Sequence, residues 1–413
     1  MRITLMRHGQ TDLNAAHVWQ GHAVGELSEL GQAQVRQATE RIDPDAFDVI
    51  VASDLTRTVQ TAELVGLPFE VDPGWREIDV GDWSGRTYAE IAEAQPQDMA
   101  AMMRGDDVVV GGGESFAQLA DRVRQAFDRL AARLGDDGSA LVVTHGGAIL
   151  SLIADHWNIS HGFDAPVIAP TNTSFTTFEH SYGSWHLNRY NDASHLGRLH
   201  GEAVTAKERG GSVLTFVRHG ETDANVRQVW QGQGDWGLND RGRQQAAALA
   251  SIFSPPGPIY ASPLGRAAQT AATLDGRGVT HVEGLMEIAM GEWEGLEVEA
   301  VKAGWAEYFE RTFQGGEDLK RGETGENVAE LMARLRRTVD EIMANHASED
   351  VTFVSHGSAI RSFVVSVLGG GNREFRNTGI VPNTGLTHVV LKDGRYRLAD
   401  YGVAPHLESL KTD

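Results

Sequence analysis

Residues 5–11 read LMRHGQT and residues 216–222 read FVRHGET, so that one Arg-His-Gly triplet recurs 211 positions after the other. Aligning the two triplets brings the rest of the chain into register. VWQG at 18–21 meets VWQG at 229–232, and LSELGQAQ at 27–34 meets LNDRGRQQ at 238–245. IVASDLTRTVQTA at 50–62 meets IYASPLGRAAQTA at 259–271, and REIDVGDWSG at 76–85 meets MEIAMGEWEG at 286–295. LVVTHGGAI at 141–149 meets TFVSHGSAI at 352–360, and PTNTSF at 170–175 meets VPNTGL at 381–386. A period this long is a domain duplication and not a solenoid, whose units run to tens of residues. The chain is therefore expected to fold as two similar domains, 1–190 and 212–413. Between them 191–211, NDASHLGRLHGEAVTAKERGG, has no counterpart inside the first repeat and is expected to be a polar linker, with the boundary near residue 205.

Within each half, short apolar runs alternate with helical spacing. ITLM, FDVIVAS and ALVVTH end in small or polar residues, as buried strands do, while 29–42, 55–66, 86–104 and 115–134 carry helix periodicity. Ser115 stands where an N-cap belongs. A hairpin is expected at 173–190. The fold class is α/β: two tandem three-layer α/β/α sandwiches, each with a largely parallel central sheet. In such sheets ligands bind beyond the carboxyl ends of the strands. His8 follows ITLM there, and His145 follows LVVT.

The chain has 36 basic against 57 acidic residues, a net charge of -21 that opposes binding to nucleic acid or an anionic membrane. Any anionic ligand must be held by locally placed arginines. Lysine is absent from residues 1–200, and the five lysines all lie beyond 206. The absence of cysteine excludes disulfides, thiolate metal sites and cysteine nucleophiles. MRITLMRHG enters a strand at once, without the apolar core of a signal peptide, and the longest apolar stretch, 140–154, is interrupted by His145 and two glycines. A cytoplasmic protein with no membrane partner is expected.

Taken in order, Arg-His-Gly-x-Thr, Ser-x-Leu-x-Arg-x-x-Gln-Thr, a Glu in the segment EIxxGxWxG, and Ser/Thr-His-Gly resemble the histidine phosphatase superfamily, which includes phosphoglycerate mutases and small phosphatases. The resemblance covers nearly all of both halves. It implies phosphoryl transfer through a phosphohistidine, with no cofactor and no metal.

The residue types fit that chemistry, which needs a nucleophile, a cationic cradle for the equatorial oxygens and an acid for the leaving oxygen. His8 and His219 are the candidate nucleophiles, because neighbouring arginines keep an imidazole neutral. Arg7, Arg57, Arg218 and Arg266 offer planar forks to phosphate oxygens. His145 and His356 open helices whose amides suit an anion, as transition-state donors or simply as N-cap residues. Glu77 and Glu287 are the candidate acids; Asp79, Asp82 and Glu292 compete with them by sequence alone. Asn14 and Asn225 either touch a phosphate oxygen or stabilise a turn. Gln20-Gly21 and Gln231-Gly232 are expected at the pocket rim, and Trp19, Trp83, Trp230 and Trp293 in packing. His17, His22, His156 and His161 match no metal-ligand spacing.

The expected function is a phosphomonoester phosphatase acting on a small phosphorylated substrate. Glu77 precedes His145 by 68 residues and Glu287 precedes His356 by 69, leaving no room for the longer insertion usual in mutases. A phosphoglycerate mutase, or one active half beside a non-catalytic scaffold, is the alternative. Gln10 against Glu221, Asp79 against Ala289 and Leu150 against Arg361 suggest that the two halves differ in substrate. The sequence does not set the oligomeric state.

Overall fold

The computed structural model describes residues 1–160, 165–274 and 278–410; His161 lies outside them. It divides into two units, Met1–Thr205 and Ala206–Asp413. In the first, strands β1 (Arg2–Arg7), β2 (Val49–Ala52), β3 (Glu70–Val71), β4 (Ser139–Thr144), β5 (Phe175–Ser181) and β6 (Ser184–Asp192) form the sheet. Helices α1 (Asp12–Ala15), α2 (Glu29–Thr39), α3 (Thr56–Val65), α4 (Tyr88–Ala94), α5 (Pro96–Met103), α6 (Phe116–Leu134), α7 (Gly146–Trp157) and α8 (Glu202–Glu208) surround it or follow it.

The strand order is β3-β2-β4-β1-β5-β6. The first four strands are parallel, and the β5-β6 hairpin adds antiparallel beside β1. Strand alternation sends Met6, Leu141 and Phe175 to the face covered by α2 and α3. On the other face Phe178 meets Phe127 of α6, with ring centroids 5.6 Å apart. Helices thus cover both faces, as the sequence suggests.

The second unit repeats this plan. Its strands are β7 (Ser212–Arg218), β8 (Ile259–Ala261), β9 (Val279–His281), β10 (Val351–Ser355), β11 (Leu386–Lys392) and β12 (Arg395–Val403), ordered β9-β8-β10-β7-β11-β12. Its helices are α9 (Asp223–Val226), α10 (Asp240–Ile252), α11 (Gly265–Leu274), α12 (Val298–Gly304), α13 (Ala306–Phe313), α14 (Val328–Met343), α15 (Gly357–Val367) and α16 (Asn372–Asn377). Val217, Ile259 and Val354 pack on α10 and α11, while Phe216 and Phe353 stack on the opposite face beside Phe363 of α15.

Local chemistry sets the helix ends. Ser115 caps α6 in a capping box with Gln118, where the sequence places it. The helix expected over 86–104 is two helices, because Pro96 lacks an N–H and turns Gln95 out of the helical region (φ -136, ψ 61). The 191–211 segment also differs from a tether. Asn191 and Asp192 end β6, a 3-10 turn spans Ser194–Leu196, and α8 follows. Its polarity includes a folded ion pair: the buried Asp192 carboxylate sits 3.1 Å from Arg41, and burial is outweighed by Arg41, so the carboxyl titrates at about 2. No helix among the described residues is long and apolar enough to cross a membrane.

Candidate active site

Each parallel strand of the first unit delivers one functional side chain at its carboxyl end. His8 follows β1, Arg57 lies in the first turn of α3 after β2, Glu77 follows β3 through a 3-10 turn, and His145 caps α7 after β4. His8, Arg57 and His145 are all buried. The rings of His8 and His145 stand 5.2 Å apart, and those of His219 and His356 repeat the distance.

The hydrogen bonds define which ring nitrogen keeps its lone pair. His8 Nδ1 lies 2.7 Å from the Gly9 carbonyl, an acceptor only, so Nδ1 carries the hydrogen and Nε2 the lone pair. Arg57 Nε faces that Nε2 at 3.2 Å. His219 makes the same 2.7 Å bond to the Gly220 carbonyl. Burial, then Arg57 and Arg7, hold His8 well below the ordinary histidine range; burial, Arg218 and Arg266 do so for His219. Both imidazoles are therefore neutral at neutral pH.

His145 Nε2 bonds Ser53 Oγ at 3.0 Å, and His356 Nε2 bonds Ser262 Oγ at 2.8 Å. With the serine hydroxyl donating, the hydrogen sits on Nδ1, which in either ring has no partner among the described residues. A buried N–H thus waits for an acceptor. These serines belong to the repeated Ser-x-Leu-x-Arg stretch, in which only the arginines stand out by residue type.

Main-chain carbonyls hold the arginines. Arg57 donates to Gly21 at 2.8 Å and Ala23 at 3.3 Å; Arg266 donates to Gly232 at 2.7 Å and Gly234 at 2.9 Å. This gives the VWQG stretch its purpose. Gly21 and Gly232 sit at φ +49 and +50, which turn those carbonyls inward, and a Cβ on Gly21 would lie 2.6 Å from Val80. Arg7 and Arg218 donate to the carbonyls of Pro170 and Val381. Burial holds Arg57 and Arg266 down to about 10, which still leaves them charged.

Glu77 lies across the start of α7, its Oε2 accepting from the Gly147 amide at 2.9 Å and its Oε1 from the Ile78 amide at 2.9 Å. Glu287 accepts from the Ser358 and Ala359 amides, both at 3.1 Å. The competing acids stand elsewhere. Asp79 Oδ1 accepts from the Gly81 amide within its own turn, and Asp82 and Glu292 are exposed.

Asn14 and Asn225 are turn residues first. Each Oδ1 accepts from the backbone amide of the Thr three residues before it, closing a capping box, so only the amide Nδ2 remains to donate to a ligand. Trp83 and Trp293 are fully buried.

A clamp behind Glu77 escapes the sequence reading. Arg122 of α6 donates to the carbonyls of Gly74, Arg76 and Glu77 and forks onto Glu114, whose Oε2 accepts from the Asp79 amide. Arg334 and Glu326 repeat the arrangement around Glu287. The signal was present as equal Glu-to-Arg spacings in both halves, 114 to 122 and 326 to 334. Among the described residues no group of three or more His, Asp or Glu could hold a metal ion.

The sequence matches the histidine phosphatase superfamily, branch 1, over residues 3–193 and again over 214–404. It is 34% identical over 178 residues to a glucosyl-3-phosphoglycerate phosphatase of Mycolicibacterium vanbaalenii, covering 39% of this chain and 79% of that one. It is 32% identical over 205 residues to a metal-independent phosphoserine phosphatase of Arabidopsis thaliana, covering 48% and 84%. A solved mycobacterial glucosyl-3-phosphoglycerate phosphatase in complex with VO3 shares 33% identity, covering 46% of this chain and 98% of that one, with a TM-score of 0.43. With the domain matched twice across nearly its whole length, the chain belongs to the histidine phosphatase superfamily and carries that family's domain in duplicate.

Proposed function

We propose that each half is a phosphomonoester phosphatase working through its own phosphohistidine. The observation that carries this reading is the pair of facing histidines, one with its lone pair on Nε2, which in the first half accepts from Arg57 Nε, and the other with an Nδ1–H that has no partner among the described residues, between two arginines and a carboxyl group. His8 Nε2 attacks phosphorus while the bond to the leaving oxygen breaks, and Glu77 gives that oxygen its proton. Arg7, Arg57 and His145 hold the three equatorial oxygens as charge shifts onto them. Water then attacks the phosphohistidine, its proton passing to Glu77, and inorganic phosphate leaves with His8 restored. His219, Glu287, Arg218, Arg266 and His356 do the same in the second half. Asn14 and Asn225 are placed to offer an Nδ2 donor to the same phosphate. The substrate is a small phosphorylated metabolite, the class on which the phosphatase relatives act by name.

The test removes each nucleophile separately. With an aryl phosphate, His8→Ala and His219→Ala should each leave measurable turnover, and only the double change should abolish it. Labelled substrate should leave up to two acid-labile phosphohistidines per chain. Loss of all turnover from either single change in a folded protein, or migration of phosphate between hydroxyls without its release, overturns the reading.

A further inference from the structure

Two threonines, one in PTNTSF at 170–175 and one in VPNTGL at 381–386, hold a backbone conformation that β-branched residues rarely adopt. Thr173 sits at φ +63 and Thr384 at φ +57, and both are fully buried. Such a conformation persists only where its surroundings enforce it. Here it turns each amide onto the main chain that carries the first histidine of the site. The Thr173 amide donates to the carbonyls of Arg7 at 3.0 Å and His8 at 3.3 Å, and the Thr384 amide to those of Arg218 at 3.0 Å and His219 at 3.2 Å. The preceding asparagines add a second grip: Asn172 Nδ2 donates to the His8 carbonyl and Asn383 Nδ2 to the His219 carbonyl, both at 2.9 Å. On their other side the His8 and His219 amides donate to the Thr144 carbonyl at 2.9 Å and the Ser355 carbonyl at 3.0 Å.

The threonine hydroxyls are held in turn by a histidine 22 residues further along the chain. Thr173 Oγ1 lies 2.6 Å from the Asn172 carbonyl and 2.9 Å from His195 Nε2. The carbonyl can only accept, so the hydroxyl hydrogen goes to it and His195 Nε2–H donates to the hydroxyl oxygen. Thr384 Oγ1 repeats this with the Asn383 carbonyl at 2.6 Å and His406 Nε2 at 2.7 Å. Burial pushes His406 down to about 4, which leaves the ring neutral at neutral pH, as this arrangement of hydrogens requires.

His195 lies on the 3-10 turn Ser194–Leu196 and His406 on the 3-10 helix Pro405–Leu410. They stand 211 positions apart, the offset that separates His8 from His219. The 191–211 stretch therefore supplies a residue of the repeated plan, which composition alone does not reveal.

We propose that His195 and His406 are positioning residues: each pins a left-handed threonine whose amide fixes the main chain at His8 or His219, so that the imidazole is held in line for attack on phosphorus. The proposal rests on the reading of His8 and His219 as nucleophiles.

The test exchanges the ring for side chains that separate its shape from its hydrogen bond. In the His219→Ala background, His195→Phe fills the space without a donor, and His195→Gln places an amide N–H near the former Nε2. Loss of the donor should slow phosphohistidine formation, followed by rapid quench with labelled substrate, by about 10- to 100-fold, the cost of displacing a reacting group by about 1 Å. The inhibition constant of inorganic phosphate should change little. Aryl and alkyl phosphates should slow alike, because both undergo the same attack, whereas loss of an acid spares aryl leaving groups. Glutamine should restore most of the lost rate. A packing role predicts the reverse order, so a phenylalanine variant as fast as the glutamine variant refutes the proposal. His406→Phe and His406→Gln in the His8→Ala background repeat the comparison at the second site. If the phenylalanine variants do not fold, Thr173→Ser and Thr173→Ala decide the matter: serine keeps the hydroxyl that His195 holds and alanine lacks it, and equal rates from the two refute the proposal. Failure of the His219→Ala parent to cleave even an aryl phosphate refutes the nucleophile reading beneath it.

Discussion

Replacing Arg122 by Ala removes the clamp behind Glu77 without touching any atom that meets substrate. Five hydrogen bonds disappear: two to Glu114 at 2.8 and 2.7 Å and three to carbonyls at 3.0 to 3.1 Å. Burial pushes the Glu114 carboxyl up, but Arg122 and the Asp79 amide outweigh it and hold the group below its usual range. Losing the guanidinium strands that carboxylate with the Asp79 amide alone. Breaking a buried pair from one side costs about 3–5 kcal/mol, and these side chains remain 25% and 22% exposed, so about 2–3 kcal/mol is expected for the first unit. The Glu77 carbonyl also loses this donor and keeps only His22 Nε2 at 2.8 Å, which loosens the loop that carries Glu77. A displacement near 1 Å at a reacting group costs about 100-fold in rate. In the His219→Ala background, Arg122→Ala should therefore slow alkyl phosphates by about 10- to 100-fold. Aryl phosphates, whose leaving groups need little protonation, should slow much less. Arg334→Ala in the His8→Ala background should do the same at the second site. Steady-state rates well below the melting temperature, alongside denaturant unfolding, separate the two effects. Equal slowing of both substrate types, or lost stability with unchanged alkyl turnover, would show that the clamp holds the fold and not the acid.

Changing Glu77 or Glu287 to Gln should slow alkyl phosphates far more than aryl phosphates at the altered site, as measured in the matching single-nucleophile background; equal losses would remove these residues from the acid role. The pH profile follows from the buried histidines. His8, His145, His219 and His356 all titrate well below their ordinary range, with burial the largest cause, so they should add no inflection to kcat/KM near pH 6.5 beyond that of the substrate's own second ionisation, at about pH 6. Their stability contribution is complete above the unfolded value and is lost as the unfolded chain takes up protons that the folded chain refuses. Unfolding free energy should accordingly fall below pH 6.5 by up to about 1.4 kcal/mol per pH unit for each histidine. A profile flat to pH 5 would contradict their burial as neutral groups.

What the sequence revealed and what it hid divide along physical lines. The duplication, the strand-end histidines and the strand-helix alternation are local patterns, legible because period and spacing survive in one dimension. The clamp was hidden because Arg122 and Arg334 sit on long helices, where an arginine is usually a solvated surface charge; their inward aim depends on carbonyls 45 to 50 residues away. The break at Pro96 was visible in the residue itself and was overridden by periodicity across it. The polar 191–211 stretch suggested a tether because composition does not distinguish a solvated Asp from Asp192, buried against Arg41.

The same division separates what the two copies share from what they do not. Arg57 and Arg266 are held by carbonyls, Glu77 and Glu287 by amides, and the Nδ1 atoms of His8 and His219 by the next residue's carbonyl. Those anchors are main-chain atoms, so they persist wherever the backbone path persists, whatever side chains surround them. That is why Gly147 and Ser358 present their amides to the acid equally well. Positions outside these anchors carry no such obligation. Leu150 can become Arg361 and Tyr88 Val298 without disturbing any of those bonds. A duplicated domain built this way keeps its chemistry in the backbone and is free to change its substrate through side chains.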